Sequence, residues 1–195
     1  MPADRDPLAA EVTDLVRRCL AGDAQAAGAL VARFERPVFA LCYRMLGQRE
    51  DAEDVTQESF VRALRSLKGW DSERDFAPWL LAIAGNRCRT LLAARARRPR
   101  LASEVERVED SAPPPEAARH LAEEVERALG GIRPEYRQAF VLFHEHELSY
   151  GEIAEAMGCP LGTIKTWVHR ARRELVEQLR SREVLSENHR AVRRV

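Results

Sequence analysis

The chain has 195 residues, 45% of them apolar, with Lys plus Arg and Asp plus Glu balanced at 31 each. That apolar content supports a buried core and sets aside wholesale disorder, and the length suits one or two domains. Zero net charge excludes a uniformly basic coat, so any contact with a polyanion must come from local concentrations of charge. Such concentrations exist. Arg87 to Arg100 holds six Arg and no acid, and Pro160 to the C-terminus holds nine basic residues against four acidic. Between them, Ala112 to Cys159 is acidic, with nine acids against four bases. Two basic islands in a neutral chain fit phosphate contact at two places. Cys19, Cys42, Cys88 and Cys159 are scattered without a C-x-x-C pair, unlike a zinc knuckle or a disulfide framework. The N-terminal MPADRDPLAAEV lacks the basic start and apolar centre of a secretion signal. No apolar run approaches the roughly 18 residues that cross a bilayer, so the expectation is a cytoplasmic protein with no membrane insertion.

Helical spacing of apolar residues predicts helices throughout, and no alternating run predicts a strand. The first helix is expected near Glu11–Leu20, ended by Ala21-Gly22. Asp23 should cap a second over Ala24–Phe34, with Leu30, Val31 and Phe34 on one face. Pro37 suits the first turn of a third helix, carrying Val38, Leu41, Cys42, Met45 and Leu46 and closed by Gly47. A fourth should run from about Glu50 to Leu67, followed by a loop over Lys68–Phe76 and a fifth helix from Pro78 to about Arg98. From Pro99 to Pro115 the apolar periodicity is lost and the run Pro113-Pro114-Pro115 marks a flexible linker. Helices resume over Glu116–Leu129, from Pro134 to about His146, over Ser149–Met157, and over roughly Leu161–Leu179. The last ten residues are expected to fray.

The segment Leu148–Leu175, LSYGEIAEAMGCPLGTIKTWVHRARREL, has the form of a helix-turn-helix. Ser149 and Glu152 make a Ser-x-x-Glu capping box, Gly158 supplies a left-handed helix end, and Pro160 opens the approach to the next helix. Ile164, Val168, Ala171 and Leu175 recur with a helical period and should point inward. That leaves Lys165, Thr166, Trp167, His169, Arg170, Arg172 and Arg173 outward to varying degrees. Outward donors on one face of such a helix are what major-groove readout requires.

With the first half added, the order of motifs resembles the sigma-70 superfamily, specifically its extracytoplasmic-function (ECF) RNA polymerase sigma factors. Gly47–Leu64, GQREDAEDVTQESFVRAL, looks like the family's polymerase-binding helix. Phe76–Arg98, with W-L-x-x-I-A-x-N, looks like the helix that engages the minus-ten element, and Gly162–Leu175 looks like the minus-thirty-five reading helix. The resemblance implies an all-α fold of two small helical domains joined by a flexible linker. The sigma-2 domain would occupy residues 1–98, the linker 99–115, the sigma-4 domain with its helix-turn-helix 116–182, and a disordered tail 183–195. It further implies core RNA polymerase and promoter DNA as partners, and in many relatives an anti-sigma factor. Two departures, Thr90 where many members carry an acid and Trp167 where many carry Arg, leave the promoter sequence uninferred.

Residue by residue, the resemblance assigns Asp51, Asp54, Gln57 and Glu58, a polar stripe at i, i+3, i+6 and i+7, to the polymerase clamp. Mixed acid and amide chemistry suits a basic partner. Lys68, Trp70, Asn86, Arg87 and Arg89 are expected at the minus-ten strand, where unpaired bases need a basic track and a stacking platform or pocket. Trp70 reads equally as core or platform, whereas Trp79 reads as core. Lys165, Thr166, His169 and Arg170 are placed over base edges, with Arg172 and Arg173 nearer phosphates. His144-Glu145-His146 places its histidines on different helix faces, so no metal site is expected there. The carboxylate pairs lack a nucleophile or companion base, so neither catalysis nor a cofactor is expected. The main alternative is a free-standing helix-turn-helix regulator; it leaves the DAEDVTQE helix unexplained. A pure interaction protein leaves the basic reading helix unexplained.

Overall fold

The computed structural model describes residues 7–97 and 116–181. Eight α-helices occupy them: α1 (Pro7–Leu20), α2 (Ala24–Leu46), α3 (Arg49–Ser66), α4 (Phe76–Ala96), α5 (Glu116–Gly131), α6 (Pro134–His144), α7 (Tyr150–Met157) and α8 (Leu161–Ser181), with a short 3-10 turn over Leu67–Gly69. No strand occurs among the described residues. The expected linker 99–115 and the tail 183–195 lie outside them.

Local chemistry accounts for the helix ends. Asp23 accepts from the backbone N–H groups of Gln25 and Ala26, two donors the first turn cannot otherwise satisfy. Gly47, at φ 73°, donates to the Tyr43 carbonyl and stops α2, in the left-handed region where a side chain would be strained. Pro134 opens α6 as expected.

Pro37 behaves differently from the expectation that it starts a helix. It sits inside one continuous α2. A mid-helix proline costs about 3 kcal/mol because it takes the hydrogen bond from the carbonyl four residues back. Here that residue is Arg33, which is exposed, so water can serve the freed carbonyl. Leu30, Val38, Leu41, Cys42 and Met45 are all buried along the same helix. Burial of that stripe outweighs the local penalty. Phe76, expected at the end of a loop, is instead the first residue of α4 and 4% exposed.

α2 is the central element of the N-terminal half, lying against α1, α3 and α4, while α8 plays that part for α5, α6 and α7. The two halves also meet, through α2 with α5 and α6 and through α4 with α6 and α7. Val38, Leu41 and Met45 of α2, Val55 and Phe60 of α3, and Leu80, Leu81 and Ala84 of α4 form one core that continues into Val141, Leu142, Ile153, Met157, Ile164 and Val168. A smaller cluster of Leu129, Ile132, Tyr136 and Ala171 lies within the C-terminal half. The cysteines are free thiols, with Cys42 and Cys88 fully buried.

Candidate nucleic-acid interface

The polar stripe on α3 divides in two. Asp54 and Gln57 are exposed. Asp51 is instead held by both terminal nitrogens of Arg95 on α4, at 2.6 and 2.5 Å. Glu58 accepts from Arg87 Nε at 2.5 Å and from Arg62 at 2.7 and 3.0 Å. The hydrogen bond from Arg87, and then that from Arg62, holds the Glu58 carboxyl below its ordinary range. Residues assigned separately to polymerase and to DNA are thus in direct contact. Sequence reasoning missed Arg95 as a partner, although it belongs to the six-arginine island. Nothing in a one-dimensional pattern says which arginine of that run crosses to α3.

Around the loop after α3, Phe76 is the centre of an aromatic group. Its ring lies 5.2 Å from Phe34, 5.3 Å from Trp79 and 5.3 Å from Trp70, the last edge to face at 83°. Trp70 is half-buried, packs on the core and has no hydrogen-bond partner for Nε1 among the described residues. It also lines a cavity of about 430 Å³ together with Arg33, Arg74 and Phe76. One part of the Trp70 ring is thus packed on the core, and another is cavity wall. Trp79 is partly buried against the core. Asp71 shapes the loop by accepting from the Glu73 N–H at 3.0 Å, while its carbonyl accepts from Arg74 N. Lys68 and Asn86 are exposed, and Asn86 Oδ1 accepts from Arg89 at 2.5 Å. Arg33 and Arg74, both basic and both on the cavity, were absent from the sequence expectation.

In the C-terminal half, the Ser149 hydroxyl accepts from Glu152 N–H while the Glu152 carboxylate accepts from Ser149 N–H, completing the capping box. Gly158, at φ 63°, ends α7 with its N–H on the carbonyls of Ala154 and Glu155. These two features set α8 against α6 and α7, with Ile164, Val168 and Ala171 buried. Lys165, Thr166, His169, Arg170, Arg172 and Arg173 all emerge exposed. Trp167 does not share that face fully. It is half-buried in both cores with its ring 6.0 Å from that of Tyr136, because its neighbours one turn away on either side, Ile164 and Ala171, are both buried. Arg170 donates to the Tyr136 hydroxyl at 3.0 Å, its guanidinium 5.9 Å from that ring. Arg172 lies 3.1 Å from His144 Nε2. Burial, and then the Arg172 charge, push the His144 imidazole down. A shallow groove along His169, Arg172, Arg173 and Arg180 follows the helix towards its C-terminus. Tyr136 could not have been found from sequence, since it lies 34 residues from Arg170 and carries no motif. Among the described residues no three His, Cys, Asp or Glu side chains gather as a metal site.

Comparison with known proteins agrees with this geometry. The family model for sigma-70 region 2 matches residues 30–98, and that for sigma-70 region 4 matches residues 122–175. The ECF RNA polymerase sigma factor SigW of Bacillus subtilis is 34% identical over 179 residues, covering 85% of this chain and 95% of SigW. The ECF RNA polymerase sigma-E factor of Haemophilus influenzae is 35% identical over 185 residues, covering 87% and 96%. Among solved structures, CnrH in complex with the cytosolic domain of CnrY is similar with a TM-score of 0.65 at 28% identity, over 88% of this chain and 98% of that one. The chain belongs to the ECF group of the sigma-70 superfamily. It is a sigma factor, which binds RNA polymerase and directs transcription initiation at promoters.

Proposed function

We propose that the N-terminal half (residues 1–98) binds core polymerase and the opened minus-ten strand, and that residues 116–182 read the minus-thirty-five element. Asp54 and Gln57 are the groups on α3 free to meet the clamp, while Asp51 and Glu58 act through their arginines on α4. Lys68, Trp70, Asn86, Arg87 and Arg89 serve the single strand, with the Trp70 cavity able to receive an unstacked base. Lys165, Thr166, His169 and Arg170 meet base edges; Arg172 and Arg173 meet phosphates. Trp167 acts mainly by fixing α8 on Tyr136.

The observation that carries this reading is the orientation of α8. A complete capping box and a left-handed Gly158 present six polar donors on one exposed face. The protein works without catalytic chemistry or cofactor and in the cytoplasm; no described helix is long and apolar enough to cross a membrane. An anti-sigma factor is proposed as a further partner, since CnrH is held by CnrY in its solved structure. The test is run-off transcription with core polymerase on genomic DNA, with co-purification of core enzyme alongside. Defined start sites that depend on the protein support the assignment; failure to bind core polymerase defeats it.

A further inference from the structure

Arg172 lies on the basic groove of α8 beside His169, Arg173 and Arg180, yet its tip is tied to another helix. Its Nη2 meets His144 Nε2, at the end of α6, at 3.1 Å. A guanidinium has five donors and no acceptor. The Nε2 atom must therefore supply the lone pair, which requires a neutral imidazole carrying its proton on Nδ1. One donor of Arg172 is used in this way, and Nε and Nη1 remain to face an incoming acceptor.

The imidazole is braced. Its ring stands 4.4 Å from that of Phe140, one turn back on α6, and 4.9 Å from that of Phe143, edge to face at 87°. Phe143 is stacked in turn on Tyr150 of α7 at 4.5 Å with 9° between the planes, and Phe140 packs against both cores. An arginine that closes on a phosphate gives up rotamer freedom. A bond to a ring fixed by two other helices takes much of that loss before DNA arrives. His144 itself is exposed, so protons from solvent reach it.

The charged groups acting on the ring are Arg172, from α8, and Glu145, the next residue, which is itself engaged by Arg44 of α2. From α7 the group at this stack is the Tyr150 phenol, which meets Phe143. Burial and then the Arg172 charge lower the His144 pKa, with Glu145 opposing them. The neutral ring is thus the form the fold favours. Its contribution is complete above the ordinary histidine range and is lost as pH falls through the lower folded value.

We propose that His144 is a positioning residue for the minus-thirty-five contact: its neutral ring aims Arg172 at a backbone phosphate, and protonation of the ring releases the arginine. This rests on the reading that Arg172 meets a phosphate.

The test uses holoenzyme assembled from the full chain and a duplex promoter mapped by run-off transcription. His144→Ala should weaken closed-complex binding about threefold, the scale of one modest hydrogen bond. His144→Gln, whose amide oxygen accepts but does not titrate, should restore most of that loss. Between about pH 7.5 and about pH 5.5 the ratio of wild-type to His144→Gln affinity should fall about threefold, as the histidine charges and the amide does not. Taking the ratio cancels the titration of His169 and of polymerase. In an Arg172→Ala background, His144→Ala should cost nothing further. Arg172→Ala alone should lower the salt slope by about one. If it lowers the slope but His144→Ala costs the same in both backgrounds, or the ratio stays flat or rises with acidity, the positioning role is overturned and the phosphate reading stands. If Arg172→Ala keeps the wild-type slope, both fall.

Discussion

Arg87 of α4 donates through Nε to the Glu58 carboxylate of α3 at 2.5 Å, so one ion pair joins the helix proposed to meet polymerase to the helix proposed to meet the opened strand. With Asp51 and Arg95 two turns away, it clamps α3 to α4 at two places along their length. A change to either carboxylate should therefore be felt on both surfaces, whereas Asp54 and Gln57 can be altered without disturbing α4.

That difference separates two kinds of α3 variant. Asp54→Ala/Gln57→Ala should weaken core-polymerase binding by about 1–2 kcal/mol and leave the thermal midpoint of the free protein unchanged. Glu58→Ala should weaken binding and also shift the midpoint downward. Calorimetric unfolding beside titration of labelled protein with core enzyme checks both. A wild-type core affinity for the double variant would remove α3 from the polymerase contact.

The same pair has a pH signature. The folded-state pKa of Glu58 is depressed, chiefly by Arg87, so its contribution is fully present above the ordinary carboxylate range and is lost as pH falls through the lower folded value. The carboxylate is about one-third exposed, and solvent screening keeps the contribution below about 1 kcal/mol. Urea midpoints of the wild type and Glu58→Gln should differ at pH 7 and converge between about pH 5 and about pH 2. A difference that grows with acidity contradicts the sign.

Trp167 should behave as a packing residue more than as a reader. Trp167→Ala is expected to cost about 2 kcal/mol, less than the roughly 3–5 kcal/mol of a fully buried aromatic truncation, measured by urea unfolding. Trp167→Phe should restore most of that stability, since Tyr136 keeps an aromatic neighbour. Equal stability of the wild type and Trp167→Ala would return this side chain to the DNA face.

Within α8, Arg170 and Arg173 should differ in kind. Arg170→Ala is expected to relax preference at one or two minus-thirty-five positions by about 1–3 kcal/mol each. Tyr136→Phe, which removes the hydroxyl holding Arg170, should do the same more weakly without touching DNA itself. Arg173→Ala should weaken all sequences alike and lower the salt slope by about one. A panel of single-base promoter variants at several salt concentrations measures both. If Arg173→Ala changes base preference and Arg170→Ala does not, the helix sits on DNA the other way round.

Most of the helical architecture is legible in one dimension because its causes are local. The Asp23 cap, the Gly47 stop, the Ser149–Glu152 box and the Gly158 turn each satisfy backbone groups within a few residues of themselves, and the 164–168–171 period needs only the helical repeat to be read as a buried face. Family motifs are legible for the same reason: they are contiguous. Where burial competes with a local rule, the sequence alone is a poor guide. Pro37 was expected to begin a helix and instead lies within α2, because a buried stripe spanning both sides of it outweighs one lost hydrogen bond. Partners far apart in the chain are decided only by the fold. Asp51 with Arg95, Glu58 with Arg87, Arg170 with Tyr136 and Gln138 in the notch at Gly85 carry no signature in spacing. Each depends on where two helix axes cross, and that is set by the packing of the whole core.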